Sequence, residues 1–559
     1  MSFRSINRSL FVTVSSVACL TGLATAAQAQ SGPTMVEDAP SIVIRDDLTL
    51  NDPPPVGILD NVVDVTGVGQ MTVRANQATT SLGLCTGTLI NPRTVIFAAH
   101  CVNSQAADTY GFATGGTAIA FGFSADNLPA VRRWVGLDGG VANQTDVDFN
   151  IYNVEQVWYD ERSLPTGFLE ADVAMATLDT HAGGVPTWTM LFSPLTAETH
   201  GIINGYGARG LGSNGSNLGI DFRRRIAENM ISSASSLNDR NNFLFGPDDY
   251  GLPQTLYNTD FDSPAGQDAF DDTNGMFDFD LYDGAALPRE GTTAGGDSGS
   301  ALVADELFDT PVVTAVLSGG SRFFGNDPND PLTFQPFSSY GTQSFYQPLY
   351  LFWDQIVANN SYVYASSRAG NRDWLNPNHW VQDMDPNYGI DVDGELVNAL
   401  PGFEAPGVTG DTPKFGNICF LDDCLDLSTI SAEFDEGTPN SVFIEGGPGS
   451  LNFVPDNVVA DPSADIRARY YEVTLAAHGT TRLSDDVTID RLNLQGAARL
   501  DIRSGGNLKV WGDYTQTGGW LDLDGSLTTG EAFFGSGLLT GNGFFDPTFL
   551  TSVNGSIAP

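Results

Sequence analysis

Three segments of the 559-residue chain carry side chains that could act together in nucleophilic catalysis. In chain order they contain His100 at the end of TVIFAAH, Asp172 at the start of DVAMATL, and Ser298 in the small-residue loop GGDSGS. A general base needs a ring held in place, and a buried carboxylate is stable when it accepts a hydrogen bond from such a ring. Singly, each residue has a plainer explanation: a structural histidine, a turn acid or a Gly/Ser turn. Their combination predicts a Ser-His-Asp triad.

Glycines surround Ser298 in this loop. Gly295, Gly296 and Gly299 let the backbone turn sharply and aim amide N–H groups at one point. A convergent set of amides is what stabilises the oxyanion of a tetrahedral intermediate. The loop therefore predicts acyl-transfer chemistry at Ser298.

The GDSGS and AAHC segments form a specific combination, with a D-V-A strand between them and Cys85 ahead of His100. Over about residues 61–364 the chain resembles the chymotrypsin/trypsin-type serine peptidases. GIINGYG at 201–207 is similar to that family's strand before a Gly-aromatic-Gly turn, and SFYQPLYLFWDQIVANN to its closing segment and helix. The resemblance implies an all-β, trypsin-like double β-barrel that hydrolyses peptide bonds.

Carried over residue by residue, the resemblance implies that Ser298 is the nucleophile and His100 the general base and then acid. Asp172 would orient His100 and stabilise its cation, and the amides of Gly296 and Ser298 would form the oxyanion hole. No cofactor and no metal ion is expected to take part.

The same resemblance assigns a primary specificity pocket. Its floor would be Thr292, six residues before the nucleophile, and its wall the strand that carries Ser318, Gly319 and Gly320. Thr292 is uncharged, so it offers no ion pair to an Arg or Lys of the substrate, whose burial without a partner is costly. We expect cleavage after medium or large uncharged residues such as Leu, Phe, Met or Ala.

The sequence departs from the family pattern at the activation site. Activation in that family releases an Ile/Val-rich N-terminus whose amine pairs with the acid before the nucleophile, here Asp297. No Arg or Lys followed by an Ile-Val-Gly-Gly type start precedes Cys85, and Arg45 is followed by two aspartates. Either cleavage occurs elsewhere or Asp297 is satisfied differently.

The cysteines indicate disulfides. Without Cys19, which lies in the predicted signal peptide, four remain, an even number for an exported chain. Of the three connectivities, the economical one joins sequence neighbours, Cys85 with Cys101 and Cys419 with Cys424. Only one of the five histidines adjoins a cysteine, which argues against zinc.

Charge and composition exclude several classes of protein. Lys+Arg 25 against Asp+Glu 68 gives a net charge of −43, which repels phosphate backbones and anionic lipids. A nucleic-acid partner is therefore excluded. Because 41% of residues are hydrophobic and 10% aromatic, the chain is not disordered. Proteins and peptides are the expected substrates.

The N-terminus has the order of a signal peptide. Arg4 and Arg8 precede an apolar stretch, and Ala27-Gln28-Ala29 is a small-x-small cleavage site. The alternative, a membrane anchor, is disfavoured because the apolar run is too short and too polar. We expect cleavage after Ala29, export through the periplasm to the cell surface or medium, and a leader or linker at residues 30–60.

Within residues 61–364, short apolar runs alternate with Gly and Asn turns, the pattern of a two-sheet or double-barrel β domain. One helix is predicted, over YQPLYLFWDQIVANN. Residues 236–290 form an acidic insertion with little periodicity. Its carboxylates could bind Ca²⁺, but their spacing fits no EF-hand loop, and a solvated acidic surface is the favoured interpretation.

From about residue 365 the composition changes. Paired apolar residues in short strands, separated by Gly or Asn/Asp turns, run through 487–527 and predict a β-helix or solenoid, with an antiparallel sandwich as the alternative. DWLNPNHW and these strands resemble the passenger of bacterial autotransporters. If the chain continues beyond Pro559, an outer-membrane translocator is the expected partner.

Together these features predict an exported serine endopeptidase followed by a β-rich, passenger-like domain at 365–559. Two alternatives stay open: an adhesin or structural passenger whose peptidase domain is not catalytic, and a peptidase that processes only itself. The presence of all three triad positions argues against the adhesin.

Overall fold

A computed structural model describes residues 42–48, 63–74, 81–111, 116–248, 250–264, 280–323, 335–401, 413–420, 423–430, 444 and 446–558. The predicted signal peptide, its cleavage site after Ala29 and most of the leader lie outside the described residues, as does 265–279 of the acidic insertion. Nearly all regular structure in the described chain is β-strand, which confirms the all-β fold class.

The N-terminal part contains the strands that carry the predicted site. They are β1 (Ile42–Ile44), β2 (Val68–Arg74), β3 (Gly83–Asn91), β4 (Thr94–Phe97), β5 (Ala118–Gly122), β6 (Ile151–Tyr159), β7 (Ala174–Leu178), β8 (Met190–Leu191), β9 (Thr199–Gly205), β10 (Arg209–Leu211), β11 (Arg225–Ile231), β12 (Ser233–Ser236), β13 (Thr255–Asp260), β14 (Gly291–Thr292), β15 (Ala301–Ala304), β16 (Val312–Ser321) and β17 (Gln343–Pro348). The α-helices are α1 (Leu128–Trp134), α2 (Leu237–Phe245) and α3 (Trp353–Asn359).

Strands β2 to β7 close the first barrel in the order β2-β3-β4-β7-β6-β5. Every pairing is antiparallel. The interior is filled by buried apolar side chains, among them Met71, Phe97, Phe121 and Val154. Strand β4 is buried along its whole length, so it holds the chain that leads to His100 firmly.

A second sheet has the order β11-β9-β15-β16-β17-β13-β12. Only Ser232 separates β11 from β12, the two edge strands, so the sheet must curl round on itself. Ile202, Val303 and Val316 lie in its apolar core. The first barrel and this curled sheet are the double-barrel arrangement that the sequence predicts.

The helix predicted over 346–360 is shorter in the structure. Residues up to Pro348 belong to β17, which pairs with β16, and a 3-10 turn at Leu349–Leu351 precedes α3. Because Tyr346, Gln347 and Pro348 pair with β16, the first residues of the predicted helix form a strand instead. The insertion also contains α2, which its weak periodicity did not indicate; a capping box between Ser236 and Asp239 starts this helix.

The strands of the C-terminal part include antiparallel pairs and a longer series stacked in parallel. They are β18 (Tyr362–Ser367), β19 (Arg372–Asp373), β20 (Trp380–Gln382), β21 (Tyr388–Val392), β22 (Glu395–Val397), β23 (Asn417–Phe420), β24 (Asp423–Asp426), β25 (Tyr470–Leu475), β26 (Gly479–Leu483), β27 (Asp486–Ile489), β28 (Arg491–Leu494), β29 (Ala498–Ile502), β30 (Asn507–Val510), β31 (Asp513–Leu523), β32 (Ser526–Thr540), β33 (Phe544–Ser552) and β34 (Ser556–Ala558).

The pairings between these strands decide between solenoid and sandwich. From β25 onward each named strand pairs in parallel with the strand one turn later, as in β25–β28, β26–β29 and β27–β30. The paired apolar positions at 487–523 all face one buried core. The solenoid prediction is confirmed, and the antiparallel sandwich is wrong.

The two parts of the chain are in contact. Strand β21 pairs in parallel with β8, and Arg93 beside β4 forms a buried ion pair with Asp490 in the solenoid. The predicted boundary between residues 364 and 365 falls inside β18. The solenoid therefore packs directly against the double barrel.

Candidate active site

His100 is presented by a short turn at the end of a buried strand. The 3-10 turn Ala99–Cys101 follows β4, and the disulfide between Cys101 and Cys85 ties it to β3. The Cys419–Cys424 disulfide is also present, so both predicted pairings are found in the structure. The His100 side chain remains 23% exposed. Its backbone is fixed while its ring is accessible to a substrate.

Asp172 lies directly behind this ring and is fully buried. Its Oδ1 accepts a hydrogen bond from the His100 backbone N–H at 2.7 Å, and its Oδ2 lies 2.7 Å from His100 Nδ1. The Ser318 hydroxyl donates to Oδ2 at 2.6 Å. Since an ionised carboxylate only accepts, Nδ1 carries the proton, which leaves Nε2 free to act as a base.

Burial and Asp172 act in opposite directions on the pKa of His100. Burial lowers this pKa because it penalises the imidazolium, whereas the negative charge of Asp172 and its hydrogen bond raise it. The result is a pKa above the ordinary 6.5. Asp172 therefore both orients the ring and makes it a stronger base.

The Ser298 loop packs on the strands that hold His100. The Ser298 carbonyl accepts from the Thr86 amide of β3 at 2.8 Å, and the Gly299 amide donates to Leu317 of β16 at 2.8 Å. A Cβ at Gly299, whose φ is +88°, would stand 2.3 Å from the Thr86 carbonyl oxygen and 2.8 Å from the Ala98 nitrogen. The structure thus brings the serine loop against the end of β4, two residues before His100.

The amides of this loop divide into used and unused donors. Those of Asp297, Gly299 and Ser300 donate to backbone carbonyl oxygens. Among the hydrogen bonds of the described residues, neither the Gly296 nor the Ser298 amide donates one. Gly296 has a φ of +106°, a conformation that side chains disfavour. The Gly295 amide donates none either, so the two amides predicted for the oxyanion hole are among three that the loop leaves available in the described chain.

Asp297 is fully buried next to the nucleophile. The amides of Gly207 and Ala294 donate to its carboxylate at 2.6 and 2.9 Å. Burial raises its pKa to about 7, against the opposing effect of these amides and of Arg225. The sequence leaves open whether cleavage occurs elsewhere or Asp297 is satisfied differently. In the described chain, two backbone amides satisfy its carboxylate.

The residues predicted for the specificity pocket occupy different environments. Thr292 is buried in β14, with its hydroxyl 3.1 Å from that of Ser344. Ser318 is buried on the Asp172 carboxylate, which is a contact that sequence reasoning did not assign to it. Gly319 is half-buried and Gly320 is exposed.

Phe168 is a site residue that the sequence did not reveal. Its ring lies 6.0 Å from the His100 ring, edge to face, and stacks on Phe345 at 6.1 Å. A Cβ at Gly319 would be 2.9 Å from this ring. No motif marks Phe168, because its position depends on the loop before Asp172.

A metal ion at the triad is disfavoured by the sulfur chemistry. Cys85, His100 and Cys101 lie close enough together to hold one, but both sulfurs are in the disulfide and only the imidazole remains as a ligand. These three side chains therefore do not form a metal site.

Comparisons with known proteins add little to this geometry. No family model matches the chain, and no curated protein sequence matches it. Among solved structures, the human heparin binding protein is similar with a TM-score of 0.29 and 15% identity, over 52% of this chain and 90% of that one. In the part of the chain that the structure describes, no helix is long and apolar enough to cross a membrane.

Proposed function

We propose that the chain is a serine endopeptidase in which residues 61–364 form the catalytic domain. The supporting observation is the fully buried Asp172 carboxylate, which accepts hydrogen bonds from His100 Nδ1, the His100 amide and the Ser318 hydroxyl. This arrangement fixes one histidine tautomer beside a serine loop with two unused amides. A general base, a nucleophile and oxyanion donors are the parts that acyl transfer needs.

The reaction proceeds in two half-reactions. The Ser298 hydroxyl attacks the scissile carbonyl as its proton passes to His100 Nε2, and the Gly296 and Ser298 amides stabilise the oxyanion. The imidazolium then protonates the leaving amine, which leaves an acyl-enzyme at Ser298. Water repeats the sequence, with His100 again as base and then acid, and releases the carboxylic acid product.

The substrates are proteins or peptides with an uncharged residue before the scissile bond. Thr292 is uncharged. Among the described residues, no acidic side chain hydrogen-bonds to it, and its hydroxyl contacts that of Ser344. A cationic substrate side chain would be desolvated there without a partner. A peptide-library digest checks this preference, and dominant cleavage after Arg or Lys would overturn it.

Export completes the proposal. Two disulfides indicate an oxidising, extracellular type of environment. We assign the N-terminal segment as a signal peptide cleaved after Ala29, and intact-mass analysis of the secreted protein tests that position. A mass that retains residues 1–29 would contradict it.

Covalent labelling is the direct test of the proposed chemistry. A fluorophosphonate probe should modify the full chain at Ser298, and peptide mapping should place the adduct there. Ser298→Ala should abolish labelling, whereas Ser104→Ala, which changes an exposed serine close to His100, should not. Absence of an adduct in the folded protein would favour the adhesin alternative.

A casein assay separates the remaining alternative. Release of peptides from added casein supports a general endopeptidase. Self-cleavage that disappears in Ser298→Ala, without any casein hydrolysis, would identify a peptidase that processes only itself.

A further inference from the structure

A second group of buried acids lies away from the triad. One oxygen from each of Asp260, Asp262 and Asp280 lies within 4.8 Å of the others. Asp260 is 6% exposed, Asp262 is 5% exposed, and Asp280 is half-buried. Glu290 adjoins the group, because its carboxylate accepts the Asp262 amide at 2.6 Å. Four carboxyl groups therefore share one largely dry region.

Nearby cations do not neutralise this group. In the described chain, no Lys or Arg forms an ion pair with any of its four acids. Arg45 acts on Glu290 through space, but its guanidinium is paired with Asp47. Among the described residues, partial relief comes from backbone amides, such as Tyr282 on Asp260 at 3.0 Å, and from a side-chain hydrogen bond between Asp260 and Asp280.

One oxygen of the group is left over. Asp262 Oδ1 is buried and has no hydrogen-bond partner among the residues that the structure describes. Leaving a buried polar atom unsatisfied costs roughly 1–3 kcal/mol, and more for a charged group. The same Asp262 carboxylate supplies one of the three oxygens that lie close together. The lone pairs of Asp262 Oδ1 are therefore available for a cation, in a group of acids that no described Lys or Arg neutralises through an ion pair.

The acids respond to this environment through their pKa values. Burial and the neighbouring negative charges raise the pKa of Asp262 to about 8 and that of Asp260 well above its usual range. Burial also raises the pKa of Glu290 to about 8. Burial and mutual repulsion therefore disfavour uncompensated negative charge in this group.

We propose that Asp260, Asp262 and Asp280 bind a calcium ion. The ligands are all oxygens, which hard cations require. Calcium–oxygen distances of about 2.3–2.6 Å place opposite ligands up to about 5 Å apart, whereas the shorter Mg²⁺ distances allow only about 4.2 Å. The three oxygens lie within 4.8 Å of one another, close enough for one such ion to contact all of them. Asp262 Oδ1 supplies a lone pair that no donor of the described residues uses.

The position of the site gives the ion a structural role. Asp260 ends β13, opposite Gln343 of β17, and Glu290 directly precedes β14. Ser344, the neighbour of Gln343, contacts the hydroxyl of Thr292 in β14. A bound ion would hold together the segments on both sides of residues 265–279 and brace β14.

Calcium binding is measured on the full chain in a Ser298→Ala background, which removes self-cleavage. The protein is treated with EDTA, dialysed and titrated with CaCl₂ at pH 7.5 by calorimetry and by thermal melting. We expect one saturable site and a melting temperature several degrees higher with Ca²⁺, with a weaker effect of Mg²⁺. Calcium should stabilise the folded chain because it binds only the assembled site.

Two single substitutions locate the site. Asp262→Asn should weaken Ca²⁺ binding at least tenfold and remove most of the thermal shift. Asp283→Asn is the matched control: it makes the same charge change in the same loop, is exposed, and has a φ of +53° that asparagine tolerates. This control should bind Ca²⁺ like the parent protein.

Folding of Asp262→Asn is checked by its melting temperature in EDTA, which should equal or exceed that of the parent because the amide removes like-charge repulsion. If this variant does not fold, Asp280→Asn replaces it. No calcium-dependent heat or shift in the parent, or an equal shift in the folded Asp262→Asn protein, would overturn the proposal. Since catalysis is disabled throughout, these outcomes are independent of the proposed peptidase activity.

Discussion

The double barrel and the solenoid bury different kinds of side chain. In the solenoid, the inward positions of successive strands are aliphatic, as in Leu492, Leu500 and Leu508. The double barrel buries Asp172 and Asp297 completely and satisfies each with specific donors. Burying a charge is costly unless it is paired. The solenoid core is thus mainly aliphatic, and its fully buried acid Asp490 lies at the contact with the barrel, whereas the barrel holds its buried acids at the predicted site.

The largest expected effect breaks the chemistry and leaves the packing intact. Ser298→Ala and His100→Ala should each lower kcat/KM by about 10⁴-fold or more, since triad members act as a unit. The melting temperature of Ser298→Ala should change little because this side chain is partly exposed, whereas His100→Ala should also lower it because the buried Asp172 carboxylate loses its imidazole partner. The double variant should be hardly worse than either single one. Losses that add would contradict the triad.

The next effect concerns the contact between the two parts. Arg93 and Asp490 are 1% and 0% exposed, and Arg93 also lies 3.8 Å over the Tyr470 ring. Removing one partner of such a pair costs about 3–5 kcal/mol. Arg93→Ala should therefore lower the unfolding free energy strongly, measured in urea. Arg132→Ala, which breaks an exposed pair with Asp138, should change the unfolding free energy little.

A core substitution tests the solenoid alone. Leu500→Ala leaves a cavity at a fully buried position and should cost about 2–5 kcal/mol. Activity per folded molecule should stay unchanged, because the substitution is remote from the triad loop. Thr488→Ala, at an outward position of β27, should alter stability by less than about 0.5 kcal/mol. Equal effects of the two would contradict the inward–outward assignment.

The disulfides sharpen the same comparison. Cys85–Cys101 spans a sequence separation of 16 and should contribute about 3 kcal/mol in the chain-entropy model. Cys419–Cys424, with a separation of 5, should contribute less. The paired Cys→Ser change at the first bridge should also reduce kcat/KM, because this bridge holds the His100 turn. Unchanged activity per folded molecule would show that the turn does not need it.

Sequence reasoning was most effective where a local pattern determines the outcome. The inward positions of the solenoid follow from period-two alternation, and all ten paired apolar residues at 487–523 are buried. The His100 and Ser298 segments were found because glycines and a cysteine accompany them.

Other features depend on contacts between distant segments. The Phe168 ring reaches His100 through a loop that no motif marks, and Ser318 meets Asp172 across 146 residues. Asp260, Asp262 and Asp280 lie in the insertion whose carboxylates were expected to be solvated, and their burial depends on how β13 and the chain before β14 fold together. Charge density in a sequence does not report the burial of its members.

The smallest effect is a pH shift in the histidine itself. Burial lowers the pKa of His100, but the charge of Asp172 and its hydrogen bond together raise it, so kcat/KM should rise with pH through a midpoint above 6.5. Each pKa unit corresponds to about 1.4 kcal/mol. In the Ser298→Ala background, an NMR titration of the His100 ring should show this midpoint, and Asp172→Asn should move it below 6.5 because burial then acts alone.

Asp297, whose pKa is about 7, is the confounding group, and Asp297→Asn should leave the His100 midpoint in place. Because the raised pKa stabilises the folded protein fully below pH 6.5, this contribution should fade as the pH rises through the folded pKa, into the range where activity appears. A midpoint at or below 6.5 with Asp172 present would show that the carboxylate orients His100 without strengthening it as a base.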